Sequence, residues 1–456
     1  MDSTKLAALD ALQADPLRAL TAAYGRVAER HALAAIVVHG GRPKSRSRFD
    51  DQAFALRSTP HFQHWLALAE PDCAVIVAPG REPTLVWPSG LDFWERPRAP
   101  LTTAFERSLR VERPTAYAAG KELLRELAPT GAIAFVGEDP EAAAEWGLAA
   151  AACNPESLLR DLDALRVLKS PYERACLVEA NRVAALGHES VRRAFASGDA
   201  SELELHLEFL RATSQDDPET PYKNIVAKGH NGAILHHIAY LREGRGEHSL
   251  LLDAGATFQG YCSDITRTWV KGEGAAASAF LGLVRGVESL QRALCLGAVE
   301  GRRYEDLHDE SHRRVSAVLA EVGLVRLSPE EICARGISRL FYPHGLGHSL
   351  GLQTHDVGCA LERPRGDNPF LRNTAVIAAG QTFTVEPGVY FIDQKLAELR
   401  EGPHAGAVDF SLVEALSALG GVRIEDDLFV EPGGGAPENL TRAWLPVGGG
   451  AAGDAS

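Results

Sequence analysis

Residues 249–272 read SLLLDAGATFQGYCSDITRTWVKG. An apolar run ends in Asp253, and Asp264 follows with Gly255 and Gly260 between them. The glycines allow the segment to fold back as a hairpin, which brings two carboxylates from adjacent strands together. Aspartate is depleted in strands, and a buried carboxylate without a partner is costly. Two such groups side by side need a cation to offset their repulsion. The same pair also fits two exposed turn aspartates, so the rest of the chain has to decide.

Two further stretches repeat the oddity. In TFTVEPGVYF (382–391), Glu386 ends an apolar strand just before Pro387 and Gly388. In GVRIEDDLFV (421–430), Glu425 is embedded after Ile424, and Asp426 and Asp427 read as solvated turn acids. Each acid alone also fits an edge strand or a turn. A histidine-rich stretch, RLFYPHGLGHSLGLQTHDVG (339–358), carries His344, His348 and His355. Its spacing does not say which of the three binds a metal. Carboxylates with imidazole suit Mn2+, Co2+, Fe2+ or Zn2+ rather than a thiolate site. Four carboxylates carry enough charge for two divalent ions, and paired ions can activate water.

The 456 residues predict two domains. A formal charge of −14 disfavours nucleic acid and anionic membrane as partners. No apolar run is long enough to span a membrane, and the N-terminus lacks the pattern of a signal peptide. The seven cysteines form no CxxC pair. Buried free thiols in a reducing, cytoplasmic compartment are expected.

Residues 1–165 alternate helices with short apolar strands: a helix over 15–32, strands at LAAIVVHGG (33–41) and AIAFVGED (132–139), a hairpin from CAVIVAPG and PTLVWPSG, and a helix over 140–152. This is an α/β domain. Ser170, Pro171 and Glu173 form an N-cap, first-turn proline and capping box for a long helix over 172–196. A second helix spans 201–213. From 225 onward hairpin signals alternate with helices near 276–297 and 304–323, which predicts an α+β domain over 166–447. The small, polar end of the chain, 448–456, predicts a disordered tail.

The ordered set Asp253, Asp264, His348, Glu386 and Glu425 lies within DAGATFQGYCSDITRTW, HGLGHSLGLQTHDVG, TVEPGVYFI and RIEDDLFV. It resembles the proline-specific branch of the pita-bread (creatinase/aminopeptidase-like) metallopeptidases, which contains prolidase (Xaa-Pro dipeptidase) and aminopeptidase P. The likeness covers nearly all of the C-terminal half and extends upstream through PYKNIVAKGHNGAILHH (221–237). It is nearest to the bacterial Xaa-Pro dipeptidases, whose members include hydrolases of organophosphorus triesters. RFDDQAFALRSTPHFQHWLAL (48–68), LREGP (399–403) and the 421–430 stretch are similar to signatures of that group, the first more loosely.

The resemblance implies a function and a set of roles. The C-terminal domain would be a pita-bread catalytic domain that hydrolyses Xaa-Pro dipeptides with two divalent metal ions, Mn2+ first and Co2+, Fe2+ or Zn2+ as alternatives. Asp253 would bind one metal, Asp264 and Glu425 would bridge both, and His348 and Glu386 would complete the second. Glu386 would double as general base. His236 and His355 would stabilise the tetrahedral intermediate. Arg423 would orient a ligand carboxylate, and Arg372 would grip the substrate's C-terminal carboxylate. Tyr222 and His344 would line the substrate side. His237 receives no role, because tyrosine is common there in the family. The N-terminal domain would serve dimerisation and pocket closure, with Asp50 or Asp51 reaching a neighbouring subunit. The rivals are aminopeptidase P acting on longer peptides, an organophosphate hydrolase, and a non-catalytic peptide-binding module of the same fold.

Overall fold

The computed structural model describes residues 3–90, 93–94, 96–98, 101 and 103–453. The chain forms two compact units, Met1–Ala175 and Cys176–Ser456, so the break lies after the long helix has begun rather than at 165. The Ser170–Glu173 capping box is in place. The Ser170 N–H donates to Glu173 Oε2 at 2.7 Å and the Glu173 N–H to Ser170 Oγ at 3.3 Å. Pro171 then opens the helix Pro171–Ser197.

The first unit is built on Leu33–His39 (β1), Ala74–Val77 (β2), Thr84–Val86 (β3), Arg110–Glu112 (β4) and Ala132–Val136 (β5), in the order β4-β3-β2-β1-β5. β1 pairs antiparallel with β2 and parallel with β5. β1, flanked by β2 and β5, reads as a largely apolar run because both its faces are covered. Ile36 and Val38 enter one core with Leu17 and Trp65, while Ala35 and Val37 enter another with Tyr117 and Trp146. The expected helix over 140–152 is shorter. It stops at Glu145, and Gly147 takes a left-handed φ of +79° before a short 3₁₀ turn at Ala150–Ala152.

The second unit holds Ile225–Lys228 (β6), Ser249–Asp253 (β7), Thr257–Phe258 (β8), Tyr261–Cys262 (β9), Thr266–Val270 (β10), Thr382–Val385 (β11), Gly388–Tyr390 (β12), Gly421–Arg423 (β13), Asp426–Phe429 (β14), Glu438–Asn439 (β15) and Gly449–Ala451 (β16). A four-stranded sheet runs β16-β10-β7-β6, a three-stranded one β11-β14-β15, and β12-β13 and β8-β9 form pairs. Helices Ala275–Gly297 and Tyr304–Glu321 supply much of the main core, with Phe280, Val284, Leu307 and Leu319 buried against Leu346, Phe383 and Ile424. The last strand corrects the expected disordered tail. Gly449–Ala451 pair in parallel with Thr268–Val270, and a Cβ on Gly449 would lie 2.2 Å from Thr268 O. Small residues there permit close backbone approach; residues 454–456 lie outside the described residues.

Among the described residues no disulfide forms, and Cys153 and Cys333 are only half-buried. Among the described residues no helix is long and apolar enough to cross a membrane.

Candidate metal centre

Register places the acids. Asp253 ends β7 and stands opposite Thr266 on β10 and Ile225 on β6. Thr266 in turn bridges to Glu425, which lies in the break between β13 and β14. The facing chain breaks at the same level. Val385 pairs with Asp426, Gly388 pairs with Arg423, and Glu386–Pro387 lie between. Proline has no N–H to give a ladder, so the two strand pairs part there. Asp264 enters from the loop before β10. His348 is pinned to β11: the Thr384 N–H donates to His348 O at 2.9 Å, and Thr384 Oγ1 accepts the His348 N–H at 3.2 Å. A Cβ on Gly347 would lie 2.3 Å from Thr384 O, so glycine before His348 is required by packing.

Asp264, His348 and Glu425 each place one donor atom within 4.8 Å of the others, and all three are buried. His348 Nε2 lies 3.4 Å from Asp264 Oδ2 and 3.6 Å from Glu386 Oε1. Its Nδ1 faces the Ser349 carbonyl at 3.0 Å, which sets Nε2 toward the acids. Asp253 Oδ2 accepts from Arg423 at 2.6 Å. Its Oδ1 is buried with no hydrogen-bond partner among the described residues.

The electrostatics are those of a site built for positive charge. Burial pushes the Glu386 carboxyl up to about 7, with Asp264 and Asp253 adding to the rise and His348 and Arg423 opposing it. Burial and the neighbouring Asp264, Glu386 and Asp253 push Glu425 well above the usual carboxylate range. Burial raises Asp253 too, though Arg423 opposes it. Burial lowers the His348 imidazole, but Asp264 and Glu386 outweigh it and carry it up to about 9. These carboxylates cannot all ionise together without a cation among them. An oxygen-rich donor set with one imidazole and an orphaned buried Asp253 oxygen fits divalent ions.

Around this centre Arg423 makes three contacts: Nη2 to Asp253 Oδ2, Nη1 to Tyr390 Oη at 3.0 Å, and Nε to Thr266 Oγ1 at 3.1 Å. His344 Nε2 lies 2.8 Å from Tyr390 Oη, and its Nδ1 lies 2.8 Å from the Gly345 carbonyl. Burial and Arg423 bring His344 down to about 3, so it is neutral. Tyr222 donates to Asp264 Oδ1 at 2.6 Å, a direct contact with a candidate ligand rather than a pocket lining alone. The His355 ring stands 4.3 Å from that of His348, at 84°. Burial, His348 and Arg372 lower His355 to about 4. Arg372 and His236 are exposed, and His236 lies within electrostatic reach of both His344 and His355. Asp50 and Asp51 each accept a local bond from Gln52.

Asp426 and Asp427 are corrected from solvated turn acids to fully buried groups. Asp426 pairs with Arg267 at 2.9 Å and with Arg442, and accepts from Gln291 and Asn439. Asp427 accepts the Asp264 backbone N–H at 3.1 Å and the Asn181 amide at 2.8 Å. Thr266, Tyr390 and this buried set are residues that sequence reasoning missed. Polar residues alternating inside the apolar strand TRTWV were the available signal.

Residues 175–432 match the model of metallopeptidase family M24, and residues 12–163 match that of the Xaa-Pro dipeptidase N-terminal domain. The Xaa-Pro dipeptidase of Pseudoalteromonas translucida is 36% identical over 95% of this chain and 98% of its own length. That of Shewanella woodyi is 37% identical over 91% of this chain and 95% of its own. Among solved structures, proline aminopeptidase P II from Yersinia pestis aligns with a TM-score of 0.70 at 24% identity, covering 95% of this chain and 96% of that one. Aminopeptidase P from E. coli with the inhibitor Pro-Leu aligns at 0.71 and 23% identity, covering 94% and 95%. At that identity the structures establish the pita-bread fold alone.

Proposed function

The chain belongs to metallopeptidase family M24, and from that premise we propose that it hydrolyses Xaa-Pro dipeptides, releasing free proline. Asp253, Asp264, His348, Glu386 and Glu425 would hold two divalent ions, Mn2+ in this reading. When bound, the ions supply Lewis acidity and lower the pKa of water at the site.

The chain's own groups do the rest. Glu386 takes a proton from the attacking water and passes it to the proline nitrogen. An amine leaves far more readily than its anion, so the nitrogen departs once it has received that proton. His355 and His236 hydrogen-bond the carbonyl oxygen as charge develops on it. Arg372 pairs with the free carboxylate of the dipeptide, for which a guanidinium fork is suited. Arg423 holds Asp253 in place through its 2.6 Å contact.

The observation that carries this reading is the buried donor group of Asp264, His348 and Glu425 within 4.8 Å. The similarity to Xaa-Pro dipeptidases supports the dipeptide over longer peptides. The test is substrate length. Purified with Mn2+, the protein should cleave Ala-Pro or Leu-Pro and cleave Xaa-Pro-Yaa tripeptides poorly; the reverse preference would overturn the dipeptidase assignment. We further take the enzyme to be a cytoplasmic homodimer, which light scattering of the purified protein and cell fractionation would check.

A further inference from the structure

Glu202 lies outside the metal centre, yet it is fully buried. It opens the helix Glu202–Thr213, just after the Ser201 cap. Its carboxylate accepts four hydrogen bonds, all from the segment 228–241. Oε1 accepts the Lys228 N–H at 2.9 Å and the Asn231 amide at 2.8 Å. Oε2 lies 2.7 Å from His237 Nε2 and accepts the Leu241 N–H at 2.8 Å. The Leu203 N–H adds a bond to Leu241 O at 3.1 Å. One buried side chain thus closes both ends of a loop that has little regular structure of its own.

The opposite side of that loop is clamped by backbone. A Cβ on Gly420 would lie 2.2 Å from Gly229 O, and one on Gly421 would lie 2.6 Å from Gly232 O. Gly420 also has φ +83°, a conformation for which glycine is suited. Gly421 begins β13, the strand that carries Arg423. The loop is therefore held between Glu202 and a strand of the metal centre. It carries His236, which lies within electrostatic reach of His344 and His355. His237, the next residue, is tied back to Glu202, so adjacent imidazoles have divided tasks: one anchors the loop and the other is left free at its surface.

We propose that Glu202 is a positioning residue for the hydrolysis, holding the segment 228–241 so that His236 stands at the edge of the metal centre. This rests on the assignment of His236 to the developing oxyanion. Glu202→Gln keeps the shape but turns an acceptor oxygen into an amide that faces N–H donors, so the loop loses bonds that nothing else replaces.

A double-mutant cycle with Ala-Pro tests it. His236→Ala should lower kcat, and Glu202→Gln should lower kcat by roughly tenfold with little change in KM, as expected of a misplaced catalytic group. In the His236→Ala background, Glu202→Gln should cost less than about twofold more, because the two act through one group. Losses that multiply, or an unchanged kcat for Glu202→Gln, would overturn the positioning role while leaving His236 in its own. An unchanged kcat for His236→Ala alone would instead remove the role of His236, and the proposal with it. Should Glu202→Gln not yield folded protein, Asn231→Ala removes one donor of the same clamp and runs through the same cycle. Its loss should be smaller, and absent in the His236→Ala background; a loss that persists there is the overturning result.

Discussion

The Thr266 hydroxyl donates to Glu425 Oε2 at 2.6 Å and accepts from Arg423 Nε at 3.1 Å. Arg423 at the same time holds Asp253. One threonine and one arginine therefore orient two carboxylates that reach the centre from different strands. Each fixes which oxygen of its acid is left for an ion.

Thr266→Val tests that relay. The change keeps the side chain's shape and removes only the hydroxyl, so packing on β10 is preserved. Metal affinity should fall by roughly 10- to 100-fold, the usual effect of losing a group that orients a ligand. Isothermal titration of the metal-free protein with Mn2+ measures it. Unchanged affinity would remove Thr266 from the site.

Asp264→Asn tests the centre itself. The substitution keeps the Tyr222 contact possible but removes a negative charge from the group within 4.8 Å. Metal content by elemental analysis and turnover of Ala-Pro should both collapse. If neither changes, the proposed ligand set is wrong.

Chelation should lower the melting temperature, and adding Mn2+ back should restore it. Bound ions stabilise the folded chain by mass action, about 2.7 kcal/mol when free metal is 100 times Kd. The effect should exceed that in an ordinary protein because Glu386 and Glu425 repel their neighbours without a cation. A melting temperature indifferent to chelator in metal-loaded protein would contradict this.

Asp426→Ala tests the correction from turn acid to buried pair. It leaves the Arg267 guanidinium, itself fully buried, without its carboxylate. Removing one partner of a buried pair costs about 3–5 kcal/mol, whereas an exposed turn acid costs within about 0.5 kcal/mol. Urea denaturation distinguishes the two.

His39 makes the first unit sensitive to acid. It is fully buried, and neither ring nitrogen has a hydrogen-bond partner among the described residues. Burial lowers it to about 4 from an ordinary 6.5, against the pull of Asp72. Between those values the unfolded chain binds the proton and the folded one does not. Stability contributed by His39 is therefore complete above pH 6.5 and lost as pH falls toward 4, by up to ~1.4 kcal/mol per pH unit. His39→Phe should flatten the acid side of a stability–pH curve; an unchanged slope would exclude His39 as its source.

Much of the molecule was legible in the chain. The apolar runs at 33–39, 74–77 and 132–136 became strands because their alternate residues enter two separate cores. The helix starting at Pro171 was legible because its cap is local, closed by Ser170 and Glu173. The acids stood out because charged residues inside apolar strands carry a cost that only a partner offsets. The misreadings share a cause. Asp426 and Asp427 follow Glu425 directly and look solvated, but their partners are Arg267 and Asn181, far along the chain, and Arg442 beyond the next strand. The end at 449–451 looks loose, but small residues let it lie against β10.

The sequence by itself determined the donor types, their order, and the strand and helix segments that carry them, since periodicity, capping and turn chemistry act over a few residues. Only the tertiary structure decided which atoms meet. The register of Thr266 against both Asp253 and Glu425, the three-way grip of Arg423 and the four bonds of Glu202 join residues distant in the chain. A hydrogen bond needs its donor and acceptor within about 3 Å, and that distance is set by how strands and helices pack, which no local pattern records.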